Sequence, residues 1–359
     1  VKLGDGYAGA AVANSRVYVL DYDEAGRRDV LRCFSLATGQ QLWEQGYPSE
    51  IKRNHGYSRT IPATNGKYVV TLGPKLMVMC CDAMTGRVVW KMDLVSQWGA
   101  TVPAWYAGQC PLIDGSKVIL APSGKALMIA VDLASGKVVW QAPNSRGWKM
   151  THSSIAPATV NGKKMYIYCG SGGVSGVDAA NGSILWDTDK WRVSTATVPT
   201  PVPIGDGRIF FCGGYNSGAM MIRLNPAGGK FTVEEVFRLK PEVFGSDQQT
   251  PILYEGHLYG VLPAPSYELA CLDLNGKLLW RSGSTNRFGL GPYLLAGGML
   301  YVLSDTGELS LVQATPAGYK PLAKAKILNG PEAWAPMVLV GTRLIARDLT
   351  TMVCLNVGR

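Results

Sequence analysis

The sequence predicts an all-β fold, one eight-bladed β-propeller of four-stranded antiparallel blades built on tryptophan-docking motifs. Three observations predict it. A nonapeptide, clearest at Asp82-Ala83-Met84-Thr85-Gly86-Arg87-Val88-Val89-Trp90, returns at 132–140, at 178–186, at 35–43 and, one residue shorter, at 273–280. The closing tryptophans Trp43, Trp90, Trp140, Trp186 and Trp280 are spaced by 47, 50, 46 and 94 residues, the last being two units of 47. A second turn signal recurs at one phase, as Asn65-Gly66, Asp114-Gly115, Asn161-Gly162, Asp206-Gly207, Glu255-Gly256 and Gly297-Gly298. Periods of roughly 40 to 50 residues with several strands each specify a propeller.

Each nonapeptide reads as a hairpin. Gly supplies the positive φ of a tight turn, and the preceding Asp, Ser or Asn bonds the turn's own backbone. Apolar runs such as Leu76-Met77-Val78-Met79-Cys80-Cys81 suit strands. A large ring at a fixed phase of every unit acts as a wedge between units. Two copies are degenerate and lack the Trp, at 224–237 and 312–319, and an eighth is half present at 352–356. The single domain, 1–359, then divides into blades at 7–46, 58–93, 108–142, 153–188, 199–238, 249–282, 290–326 and 335–357. Blade one takes strands at 8–13, 16–22, 30–35 and 41–45, and almost no helix is expected. Val1-Lys2-Leu3 reads as the stub of an outer strand that completes the last blade and removes its free edge.

Composition excludes several classes. No apolar run approaches the roughly 18 to 20 residues of a membrane helix. The start at Val1 shows neither a signal-peptide pattern nor an initiator Met. The net charge of +9 reads as a solvated surface, since no basic run or nucleic-acid motif accompanies it. Of the eight cysteines, Cys33, Cys80, Cys271 and Cys354 share one slot of the repeat, and Cys169 and Cys212 share another. Slots related by rotation about the ring lie beyond the roughly 7 Å reach of a disulfide, so these read as free, small, buried hydrophobes.

The blade-to-blade connections are the longest loops and emerge on one face, where binding usually resides. They carry Trp98, Trp105, Trp148, Trp191 and Trp334, with His55 and His152, and more bases than acids. The candidate binding residues are Arg53, His55, Trp105, Trp148, His152, Trp191, Arg192, Asp247 and Arg287. Arg and Trp together suit a protein or an anionic small molecule or glycan. No catalytic or metal-ligating set is assigned: no zinc spacing, Cys-x-x-Cys-His or Gly-x-Ser-x-Gly occurs.

The repeat Ala/Cys-x-Asp-x-x-Thr/Ser-Gly-x-x-x-Trp resembles that of the PQQ-like, or quinoprotein alcohol dehydrogenase-like, eight-bladed propeller family, over essentially the whole chain. That family holds PQQ- and calcium-dependent dehydrogenases. It also holds a non-catalytic exported branch with the outer-membrane assembly lipoprotein. The resemblance implies a binding or scaffolding propeller of the periplasm or cell exterior, expected to be monomeric and without cofactor. The alternative it implies is a dehydrogenase with PQQ and calcium. In those enzymes Glu and Asn hold the ion beside a catalytic Asp and under a vicinal disulfide. Here that set does not map. Asp247 and Asn286 are the nearest candidates, and Cys80-Cys81 lies within a strand, where neighbours point to opposite faces.

Overall fold

The computed structural model describes residues 1–358. Eight antiparallel sheets follow one another along the chain, each with its strands in sequential order. Blade one is Ala10–Ala13, Arg16–Asp23, Arg28–Ser35 and Gln41–Pro48. Blade two is Ala63–Thr64, Tyr68–Leu72, Met77–Asp82 and Val88–Asp93. Blades three to seven repeat the pattern, and blade eight has three strands, Val338–Val340, Arg343–Arg347 and Met352–Asn356. Among the described residues the helix content is one short turn, Leu94–Trp98, capped by the Asp93 carboxylate and by Gly99 in the left-handed conformation.

The middle strands read as unbroken apolar runs because each blade lies between two others. Tyr18 and Val19 are adjacent in one strand and both fully buried. Tyr18 packs with Met79 and Cys81 of blade two, whereas Val19 packs with Ile345 of blade eight. Cys80 and Cys81 divide the same way: Cys80 sits with Val118 and Leu133, Cys81 with Tyr18.

The indoles tie blades together. Trp90 Nε1 donates to Leu133 O of blade three at 2.9 Å, Trp140 Nε1 to Ala179 O of blade four at 3.3 Å, and Trp280 Nε1 to Thr315 O of blade seven at 2.8 Å. In degenerate blade five Phe237 takes the indole's place, 3.2 Å from where a Cβ on Gly276 would stand. Trp186 departs from the pattern. It lies over Gly176 of its own blade, and its Nε1 donates to the Met165 sulfur.

The ring closes through the N-terminus. Val1 and Met352 exchange backbone hydrogen bonds at 2.8 and 3.0 Å, and Leu3 N donates to Thr350 O at 2.9 Å. Residues 1–3 thus lie along the start of the last strand. Cys354, in that last strand, is exposed, which corrects its reading as a buried thiol. Arg347, 2% exposed, fastens this seam, donating to Ala8 O, Gly4 O and Leu349 O at 3.2, 3.0 and 3.0 Å.

Candidate functional site

In an up-and-down blade, the entry to the first strand and the second-to-third turn share one end. Eight such ends surround the ring axis. They enclose a cavity of about 540 Å³ whose lining includes Tyr7, His55, Arg59, Trp105, His152 and Trp334.

The throat is built from the starts of the innermost strands. Ile61 N donates to Cys110 Sγ at 3.2 Å, Cys110 N to Ser154 Oγ at 3.0 Å, and Thr200 N to Thr250 Oγ1 at 2.9 Å. Each small polar side chain satisfies a backbone N–H of the preceding blade. In Cys110-Pro111, Thr200-Pro201 and Thr250-Pro251 a proline follows at the same phase, which fixes an extended entry at the preceding residue. That recurring small-polar–Pro pair is the sequence signal for the throat, and it is independent of the loop Trp, Arg and His residues.

Of the candidate residues, His55, Trp105 and His152 line the cavity. Arg53 is exposed and pairs with Asp5 at 2.7 Å. Arg192 is exposed on its connection. Arg287 is pinned to a turn of blade six: it donates to Pro265 O and to Ser266 O, the latter at 2.9 Å, and lies 5.6 Å over the Tyr267 ring. Asp247 accepts from Ala264 N at 3.0 Å, and burial raises its pKa. Trp148 and Trp191 are 7% and 2% exposed, so they offer no surface to a ligand. Trp148 lies over Gly170 and Gly172 with its backbone held by Asn144, and Trp191 stacks on Phe211 with centroids 6.1 Å apart.

Arg59 was not singled out in the sequence. Its guanidinium donates to Asn54 O at 2.6 Å and Gly56 O at 3.5 Å, and lies 5.7 Å over the Tyr7 ring. No carboxylate pairs with it among the described residues, and burial lowers its pKa. His152 Nε2–H donates to Ala104 O at 2.7 Å. Burial above all lowers the His152 pKa, against the raising effect of that bond and with a smaller lowering by the Arg59 charge. Tyr7 donates to Glu332 at 2.6 Å and packs on Trp334 with centroids 5.0 Å apart. Burial and the Glu332 bond raise the Tyr7 pKa. Backbone strain gathers here: His55, Trp105, Tyr106, Tyr215 and Glu332 have φ of 62, 63, 67, 52 and 58°. Non-glycine residues reach this region only when their surroundings hold them there, and such residues cluster at ligand clamps.

The donors at the cavity can be compared with those that a PQQ–calcium pair requires. Calcium takes six to eight oxygen ligands with carboxylates prominent. Among the described residues no Asp or Glu lines the cavity. Asn286 is bound to Ser282 O and Thr285 at the rim of blade six, and neither it nor Asp247 is among the residues lining the cavity. A PQQ–calcium pair does not fit these donors.

Comparison with known proteins agrees with the fold. The family described as Outer membrane protein assembly factor BamB matches residues 26–275. The assembly factor BamB of Yersinia pestis is 23% identical over 263 residues, 70% of this chain and 63% of that protein. The match therefore spans less than two thirds of that relative. Among solved structures, BamB from Moraxella catarrhalis aligns with a TM-score of 0.66 at 15% identity, covering 97% of this chain and 92% of the other. A europium-containing methanol dehydrogenase aligns at 0.65 and 13%, covering 96% and 82%. At these identities the likeness is one of fold, and one frame carries both an assembly factor and a dehydrogenase.

Proposed function

The chain belongs to the family of the outer membrane protein assembly factor BamB, and on that premise we propose that it is a non-catalytic scaffolding propeller of the bacterial cell envelope. It works on the periplasmic side and docks a protein partner on the channel face. The observation that carries this reading is the family match across residues 26–275. The geometry supports it in two ways. Among the described residues no Asp or Glu lines the cavity, whereas a calcium site draws on carboxylates. The same face exposes Lys52, Arg53, His55, Lys149 and Arg192, so it presents a basic rim around aromatic side chains. Arg offers a planar donor fork and Trp a large flat contact, the residue types enriched at interface anchors.

The test is site-specific photo-crosslinking in envelope fractions. A photoreactive residue at Arg192 should give protein adducts, and one at Asn161, in a turn at the opposite end of blade four, should give none. The double variant Arg53→Ala with Arg192→Ala should reduce adducts formed from a probe at Lys149. Adducts confined to the Asn161 probe would place docking on the other face and sink the reading.

A further inference from the structure

We propose that the channel-mouth cavity is a binding site for a small organic monocarboxylate with a flat apolar body, gripped by the Arg59 guanidinium. The site goes beyond protein docking on the rim, and its failure would leave the docking reading standing.

Arg59 is the only Lys or Arg in the cavity lining, and no Asp or Glu accompanies it among the described residues. Its two carbonyl partners engage two of the five N–H donors that a guanidinium carries. A partly buried cation without a counter-charge is costly, and an anion placed against it relieves that cost. A carboxylate matches the planar fork with two parallel hydrogen bonds. The charge count sets the valence. His152 already donates to Ala104 O and its pKa is lowered, and the nearby Glu332 and Asp305 carboxylates are engaged by Tyr7 Oη and Trp334 Nε1 at 2.6 and 2.8 Å, so the lining itself offers the one positive charge of Arg59 and suits one negative charge. A phosphate dianion would leave a charge uncompensated. Volume and walls set the body. About 540 Å³ holds an organic molecule rather than an ion alone. Trp105, Trp334 and Tyr7 present flat apolar surface, while Ser154 and Thr250 supply neutral hydroxyls. The left-handed backbone at His55 and Trp105 holds their side chains at the cavity, as expected of a preformed clamp.

The experiment uses the whole chain and three probes followed by fluorine or proton NMR up to about 5 mM, a range that reaches weak millimolar binding. The probes are 4-fluorobenzoate, its neutral isostere 4-fluorobenzamide, and phenyl phosphate. Saturable binding of 4-fluorobenzoate is expected, with the amide and the phosphate each at least about tenfold weaker. Arg59→Gln should weaken 4-fluorobenzoate at least about tenfold while near-ultraviolet circular dichroism stays native. Equal affinity for the amide, tighter binding of the phosphate, undiminished binding by Arg59→Gln, or no saturable binding overturns the proposal. Should Arg59→Gln not fold, the His152 ring proton in the unaltered protein decides. Its titration midpoint should rise by at least about 0.3 pH units with 4-fluorobenzoate and stay put with the amide, because an anion on Arg59 removes the charge that depresses it. An unmoved midpoint overturns the proposal.

Discussion

Trp90 of blade two stands so close to Gly136 of blade three that a Cβ on the glycine would lie 2.7 Å from the indole Cγ. The same indole donates to the Leu133 carbonyl one turn away. The turn glycine thus has two duties, a φ of +71° and an open face for its neighbour's ring. Gly86 and Gly182 meet Trp43 and Trp140 in the same way, each at 2.6 Å. Gly39 of blade one, with φ +72°, meets nothing within 4 Å. Among the described residues no indole meets it, and the corresponding carbonyl, Leu36 O, accepts from Arg343.

That contrast separates turn strain from ring docking. Gly39→Ala should cost roughly 1–2 kcal/mol, the penalty of a left-handed L-residue alone. Gly136→Ala should cost clearly more, because the methyl group also displaces the indole. Trp140→Ala, a change at a ring 7% exposed, should cost roughly 3–5 kcal/mol. Urea midpoints check all three, and equal midpoints for the two glycine variants would contradict the docking account.

Asp29 is fully buried at the junction of blades one and two, and neither of its oxygens has a hydrogen-bond partner in acceptable geometry. Burial pushes its pKa up to about 6 from 3.8, against smaller lowering effects of nearby Tyr47, Ser49 and Lys75. The folded state therefore holds this proton more tightly than the unfolded chain. Its stabilising effect is full below 3.8 and is lost as pH rises through about 6. Asp29→Asn should gain on the parent by about 2–3 kcal/mol between about pH 4 and about pH 8. Denaturation at the two pH values measures it, and a variant that loses ground at the higher pH refutes the sign.

Arg347 holds the seam where the chain ends meet. Asp21 and Asp348 lie nearby at 1% and 4% exposure. Arg347→Met should destabilise by roughly 3–5 kcal/mol, because it strands buried carbonyls and removes a counter-charge. It should also make residues 1–6 the first site of proteolysis. Nicking elsewhere first would show that the seam is held by other contacts.

Thiol accessibility should follow burial. Cys354 should react in the folded protein. Cys33, Cys80, Cys81, Cys169, Cys212 and Cys271 should wait for unfolding, since all six are buried and burial pushes the Cys80 and Cys81 thiols up to about 12. Eight thiols should titrate in denaturant without reductant. A deficit of two restored by reductant would reveal a disulfide and revive the quinoprotein comparison.

The repeat, the hairpins and the ring of eight were legible in the residues alone. These rest on local chemistry, an Asp or Asn before a Gly between apolar strands, and local chemistry recurs visibly at a period near 47. The sequence also placed the long connections together, because they must leave from one end of every blade. Which loop side chains reach the axis depends on how the blades pack. Trp105 and Trp148 look alike in the sequence, yet one turns into the cavity through a left-handed residue and the other lies down on the glycines of its own blade. Arg59 was silent for the same reason. Its setting comes from Tyr7, His152 and a cavity lining in which no Asp or Glu appears among the described residues, a non-local environment assembled from residues up to 145 positions apart along the chain and written in no single stretch of it.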